Sequence, residues 1–311
     1  MPFTALLRIV ALSTAILLTC GNTTGAEITL NGQLSKGGWA RVVDITGEIT
    51  KGDDVIFAKL LLGAKQAWVT LDSFGGDVDT ALSLGTIIRS YDGVVRTGSC
   101  FSACALILAG GVIRVGPTWF DDPVIGVHRI YFAELESGLS SSEVKSRYDA
   151  QLARVRKYLA QMNVAPEFLS FMQAVGPENS HVMTHEELTR YGLGPKDVVY
   201  DERMTADRAA EFGINSLEYR RRERRGTEEC KGISSGMPEP TDAELLEARR
   251  SHVSIDILRQ AQCSLAIHYG ISVSLYLERS AQVTARCSRY TEKTQQNRCH
   301  AHFMTSGKAI P

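Results

Sequence analysis

The chain has 311 residues, 44% of them hydrophobic and 22% charged, with a formal net charge of -1 at pH 7. That length supports one sizeable core plus an appendage, and the composition is that of an ordinary globular protein. The near-neutral balance gives no electrostatic reason to expect nucleic acid as a partner.

The first residues predict export. Met1 to Arg8 carries one positive charge, Ile9 to Leu18 is apolar, and Thr24-Gly25-Ala26 places small residues before Glu27. This is the pattern of a secretory signal peptide over residues 1–26, cut after Ala26, with an apolar stretch too short to span a bilayer comfortably. The minor alternative is Leu17-Leu18-Thr19-Cys20-Gly21, which resembles a bacterial lipoprotein box, although Thr19 is a poor residue before a modified cysteine. A membrane is a partner only if Cys20 is lipidated. The expected location is the bacterial periplasm or cell envelope. Of the seven cysteines, removal of Cys20 with the signal leaves six, an even number that suits disulfides in an oxidising compartment.

Taken in order, Val42, Val43 and Ile45 predict a strand within 41–49, Val55 to Leu62 a helix, and Ala67 to Leu71 another short apolar element. After Gly75-Gly76, the spacing of Ala81, Leu82, Leu84, Ile87 and Ile88 is helical. Val94-Val95 reads as a strand, Ala103 to Ala109 as a buried helix, and Val124 to Val127 as a strand. Strands alternating with helices through short glycine-containing turns predict an α/β core with a parallel sheet. A longer amphipathic helix comes next over 140–161, with Val144, Tyr148, Leu152, Val155 and Leu159 on one side. Thr184-His185-Glu186-Glu187 is a capping box for a short helix ending near Tyr191-Gly192.

The character changes after about residue 205. Arg220-Arg221-Arg222-Glu223-Arg224-Arg225 reads first as a solvated helix face or linker, and second as a processing or anionic-surface site. Residues 232–240 have linker composition. Thr241-Asp242-Ala243-Glu244 is a capping box opening a helix that carries Leu245, Ile255, Leu258 and Leu265, and a second helix begins after Gly270. The expected organisation is a signal peptide (1–26), a core domain (27–205), a basic segment and linker (206–240) and a cysteine-containing helical tail (241–311). A tail of that size is marginal for an independent core, so disulfides there make physical sense. Cys230, Cys263, Cys287 and Cys299 allow three pairings. A metal site is the competing reading, but no CxxC pair occurs, and His300 and His302 beside Cys299 form a weak cluster. No metal and no cofactor are expected.

The chemistry concentrates around Gly98-Ser99-Cys100-Phe101-Ser102-Ala103-Cys104. A serine among small residues, between an apolar strand and an apolar helix, has its hydroxyl exposed on a sharp turn, close to N–H groups that can meet developing negative charge. Twenty-six positions later (128 minus 102) stands His128, after Gly126-Val127. Twenty-six positions earlier (102 minus 76) stands Gly76, within Ser73-Phe74-Gly75-Gly76-Asp77. Serine at its ordinary pKa is a weak nucleophile, so an imidazole must take its proton and return it to the leaving group. Each residue also has a plainer role: Ser102 as a helix-entry residue, His128 as a histidine hydrogen-bonded at a strand end. Cys100 and Cys104 are either buried small hydrophobes or a disulfide straddling the serine, near the limit of bridge geometry if both lay on one helix.

These segments, with Thr184 to Leu193, resemble the Clp protease/crotonase superfamily, closest to the Clp protease proteolytic subunit and to signal-peptide-peptidase-type exported serine peptidases. The resemblance covers about Ala40 to Val199 and rests on four short motifs in family order. It implies a Clp/crotonase-like spiral β/α core, hydrolysis of peptide bonds in a peptide or protein substrate, and often a homo-oligomer. Carried over by position, it makes Ser102 the nucleophile, His128 the general base, the N–H groups of Gly76 and Ala103 the oxyanion hole, and Gly75 a substrate-binding residue. The protease subunit's aspartate falls here at Ser180. Asn179 or Ser180 could orient the imidazole through a neutral hydrogen bond, Glu178 could do so with a shifted turn, or the site is a dyad. The lysine of the exported peptidases has no counterpart motif. Two rivals stand beside this reading: a non-catalytic relative that binds extended peptides, and an acyl-transfer enzyme of the same superfamily, disfavoured because an exported chain meets little coenzyme A.

Overall fold

The computed structural model describes residues 25–34, 39–116, 123–132, 138–233 and 239–308. Most of the expected signal peptide, including Cys20, and residues 234–238 of the expected linker lie outside the described residues. The chain divides into two compact units, residues 1–195 and residues 196–311.

The first unit is mixed α/β, built on a seven-stranded mixed sheet. Its strands are β1 (Glu27–Leu34), β2 (Ala40–Thr46), β3 (Gln66–Ser73), β4 (Val94–Phe101), β5 (Ile113–Val115), β6 (Val124–Val127) and β7 (His181–Val182). The order is β1-β2-β3-β4-β6-β7, with β5 paired to the first half of β4. Strands β2 to β6 pair in parallel, whereas β1 and β7 are antiparallel edges. The parallel core matches the alternation in the sequence. The edges escape it: β1 is largely exposed and β7 has two residues, so neither writes an apolar run.

The helices of this unit are α1 (Asp53–Leu60), α2 (Val78–Ser90), α3 (Cys104–Gly110), α4 (Ser141–Gln161), α5 (Glu167–Ala174) and α6 (His185–Arg190). Capping fixes several starts. Asp77 accepts from the Thr80 N–H at α2, and full capping boxes at Ser140/Glu143 and Thr184/Glu187 open α4 and α6. Helix α3 is apolar all round and wholly buried, so propensity matters less to it than packing. Its carbonyl end meets Arg114, only 1% exposed, whose guanidinium donates to Leu108 O (3.2 Å), Ala109 O (3.0 Å), Gly192 O (3.0 Å) and Gly194 O (3.3 Å). The cation faces the negative end of the helix dipole and satisfies carbonyls that would otherwise be buried bare. Val43, Ile45, Phe57, Leu71, Leu84, Leu106, Ile107, Leu108 and Phe168 centre the core around it.

The second unit is helical: α7 (Val198–Glu211), α8 (Ser216–Glu229), α9 (Asp242–Ser251), α10 (Ile255–Tyr269), α11 (Val273–Cys287) and α12 (Lys293–Ser306). The expected boundary at 205/206 falls inside α7, which Asp197 caps, and the compact units part ten residues earlier, after Pro195 (205 minus 195). The arginine run is helix, not linker. On α8, Arg222 pairs with Glu218 (2.7 Å) and Arg225 with Glu229 (2.8 Å), four residues apart, and Arg220 reaches Asp201 of α7 (3.1 Å). The single helix expected after Thr241 is two, because His252 takes a left-handed conformation (φ 54°) and Ser254 starts a new cap. Bridges Cys230–Cys263 and Cys287–Cys299 join α8 to α10 and α11 to α12, choosing among the open pairings. Among the described residues no helix is long and apolar enough to cross a membrane.

Candidate active site

Strand β4 places Ser102. A register shift against β3 (Leu71 opposite Thr97, Ser73 opposite Cys100) gives β4 one extra residue, a bulge that re-aims the end of the strand. Beyond the shift β4 turns from β5 to β6, with Phe101 opposite Gly126. Ser102 then adopts φ +56° and Ala103 begins the helical turn into α3. A non-glycine residue in the left-handed region costs about 1 kcal/mol, held here because the strand and the buried helix fix both ends of the turn. The Ser102 N–H is anchored to Gly126 O at 2.8 Å, and the residue is half-buried.

Gly75 comes up against this turn, and the adjoining Gly76 lies against Ile49. A Cβ on Gly75 would lie 2.8 Å from Ser102 Cβ and 2.9 Å from the Ala103 nitrogen, and one on Gly76 would lie 2.1 Å from Ile49 O. Both residues have positive φ (103° and 137°), so the pair must be glycine on two separate counts. Ile49 pins them: its N–H donates to Gly75 O (2.8 Å), and its carbonyl accepts from the Asp77 N–H (2.8 Å). Ser73 Oγ accepts from the Gly75 N–H and donates to Gly47 O. Among the described residues, the Gly76 and Ala103 N–H groups have no hydrogen-bond acceptor. Uncommitted main-chain N–H donors are the groups from which an oxyanion hole is built. Phe74, 78% exposed on this pinned turn, packs at a tilt against Phe101 with ring centroids 5.8 Å apart.

His128 comes directly after β6, at the same end of the sheet as Ser102, and is half-buried. Its Nδ1 contacts Arg129 O at 2.8 Å and its ring lies 5.6 Å from Tyr131. Ser102 and His128 are not hydrogen-bonded to each other among the described residues. In unliganded sites a nucleophile and its base are often not in hydrogen-bond contact, and they close on substrate. The loop before β7 reaches the same region: Val175 O accepts from the Arg129 N–H (2.9 Å), and Ser180 Oγ would lie 2.6 Å from a Cβ on Gly126. Ser180 and Asn179 are nevertheless exposed and neither bonds His128; Asn179 Nδ2 donates to Glu178 Oε1 (3.2 Å). His181 is committed elsewhere, with Nε2 3.0 Å from Glu187 and its ring edge-on to Phe171. The hydrogen bond from His181, then the Thr184 backbone, hold the Glu187 carboxyl below the usual carboxylate range.

Cys100 and Cys104 form a disulfide across the turn, with Cα atoms 5.2 Å apart and both residues fully buried. The Cα separation is one a bridge can span, because Cys100 belongs to the strand and only Cys104 to the helix. Ile49, Arg129 and Val175 contribute through main-chain atoms that leave no residue signature, so the motifs could not name them. Among the described residues, no group of three or more His, Cys, Asp or Glu side chains could hold a metal ion. Compared with known protein families and with curated protein sequences, the chain matches none.

Proposed function

We propose that this protein is an exported serine peptidase of the Clp protease/crotonase type, its sheet forming that superfamily's spiral β/α core. The observation that carries the reading is the close approach of Gly75 to a left-handed Ser102, with the N–H groups of the adjoining Gly76 and of Ala103 uncommitted among the described residues. In the reaction, Ser102 Oγ attacks the scissile carbonyl while its proton passes to His128. The carbonyl oxygen takes up negative charge between the two N–H donors, worth a few kcal/mol of barrier, on the order of 3. His128 returns the proton to the leaving amine, and water repeats the sequence on the acyl-enzyme. Disulfides in both units are compatible with an oxidising compartment, which supports export.

A fluorophosphonate probe tests this directly. Folded wild-type protein labels and Ser102→Ala does not; absence of Ser102-dependent labelling sinks the peptidase reading. The missing Ser102–His128 hydrogen bond favours one second reading, a degenerate relative that binds extended peptides in the same groove. A peptide library separates the two, since the peptidase yields cleavage products and the binder only retains peptide.

A further inference from the structure

We infer that the group orienting the His128 imidazole is the main-chain carbonyl of Arg129, so that a peptide oxygen stands where a side-chain acid would be sought. The inference rests on the serine hydrolase reading above. A carbonyl oxygen has lone pairs and no proton, so its contact with Nδ1 at 2.8 Å is attractive only when Nδ1 carries the hydrogen. That assignment fixes the tautomer. Nε2 keeps its lone pair and is the atom that receives the Ser102 proton.

The holding peptide is itself held. The Arg129 N–H donates to Val175 O at 2.9 Å, Ile130 beyond it is buried, and Tyr148 Oη donates to Ile130 O at 2.9 Å. Val175 opens the 175–180 loop, so that loop acts on the histidine through its main chain. Glu178, Asn179 and Ser180 are exposed residues, with Asn179 Nδ2 on Glu178 Oε1 and Ser180 Oγ against Gly126, and among the described residues none of them bonds the ring. When Ser102 Oγ attacks, its proton moves to Nε2 and the ring becomes imidazolium. The Nδ1–H bond to Arg129 O persists through the step, and the proton on Nε2 later leaves with the amine. A peptide dipole steadies that cation less than a carboxylate would, but it cannot be protonated and lost at low pH.

Long-range proton–nitrogen correlation spectra of the 15N-labelled full chain, at a pH where imidazole is neutral, read the tautomer without requiring activity. His128→Gln identifies the signals. The expected result is a hydrogen on Nδ1 and a bare Nε2, unchanged in Ser180→Ala, Asn179→Ala and Glu178→Gln. Those three variants keep the fluorophosphonate labelling rate within about threefold, set against the roughly ten-thousandfold loss seen when a true orienting acid is neutralised. A hydrogen on Nε2, or a loss beyond about a hundredfold in any of the three with folding intact, overturns the inference. Failure of the parent reading looks different: the tautomer stands, and no labelling depends on Ser102.

Discussion

The two units use the same covalent device for opposite ends. In residues 196–311 the disulfides take the place of a core. Val283, Phe303 and Met304 share their buried cluster with Cys287 and Cys299, flanked by the partly buried Tyr269, Ile271, Tyr276 and Tyr290. In residues 1–195 the bridge sits inside an extensive core, between β4 and α3, around Ser102 with its left-handed backbone. The lesson is that a disulfide's role depends on its surroundings. Where little apolar surface can be buried it supplies stability, and where much is buried it sets local geometry.

The strongest way to break this comparison is to remove the tail bridges. They close sequence separations of 33 and 12, for which chain entropy gives about 4 and 3 kcal/mol. Replacing Cys230, Cys263, Cys287 and Cys299 by Ala is expected to unfold the second unit. Hydrogen exchange then shows α10 to α12 unprotected while β2 to β4 stay protected. Equal protection in both units would refute the contrast.

Next comes Cys100→Ala/Cys104→Ala, with a separation of only 4 and about 2 kcal/mol at stake. The first unit is expected to stay folded. The second-order rate of fluorophosphonate labelling at Ser102 falls by roughly ten- to a hundredfold, the effect of a misplaced reacting group. A melting shift with unaltered labelling would make this bridge merely structural.

Acid sharpens the contrast at a third point. The hydrogen bond from the nearly buried Arg259, then the Thr241 backbone, hold the Glu244 carboxyl down to about 2. A folded value below the unfolded one, about 4.3, adds stability that is present above the unfolded value and fades as pH falls toward 2. Chemical denaturation of the second unit should therefore weaken between about pH 4 and pH 2, and Glu244→Gln should remove that slope at a cost of about 1 kcal/mol near neutral pH. An unchanged acid profile in the variant would show that Glu244 is not responsible.

How far the sequence disclosed this molecule depends on which atoms do the work. The β3, β4, β6, α2 and α3 segments bury apolar side chains and were legible as periodic runs, and Gly75-Gly76 announced a close approach that only glycine permits. Helices α7 and α8 were not, because Arg–Glu pairs and a cystine hold α8 where an apolar stripe would have marked it. Strand β1 was hidden by exposure on an edge. At the site, Ser102, Gly76 and His128 could be named from motifs and spacing. The contact between the His128 ring and Arg129 O could not, since Arg129 offers a carbonyl that every residue possesses.

The positive φ of Ser102 has a consequence for how this chain would change under selection. Glycine tolerates that conformation freely, so Ser102→Gly is expected to raise the stability of the first unit by about 1 kcal/mol in denaturant unfolding. The most accessible improvement in robustness therefore deletes the hydroxyl. A lineage screened only for durability would drift toward a sturdier protein without a hydroxyl at this turn.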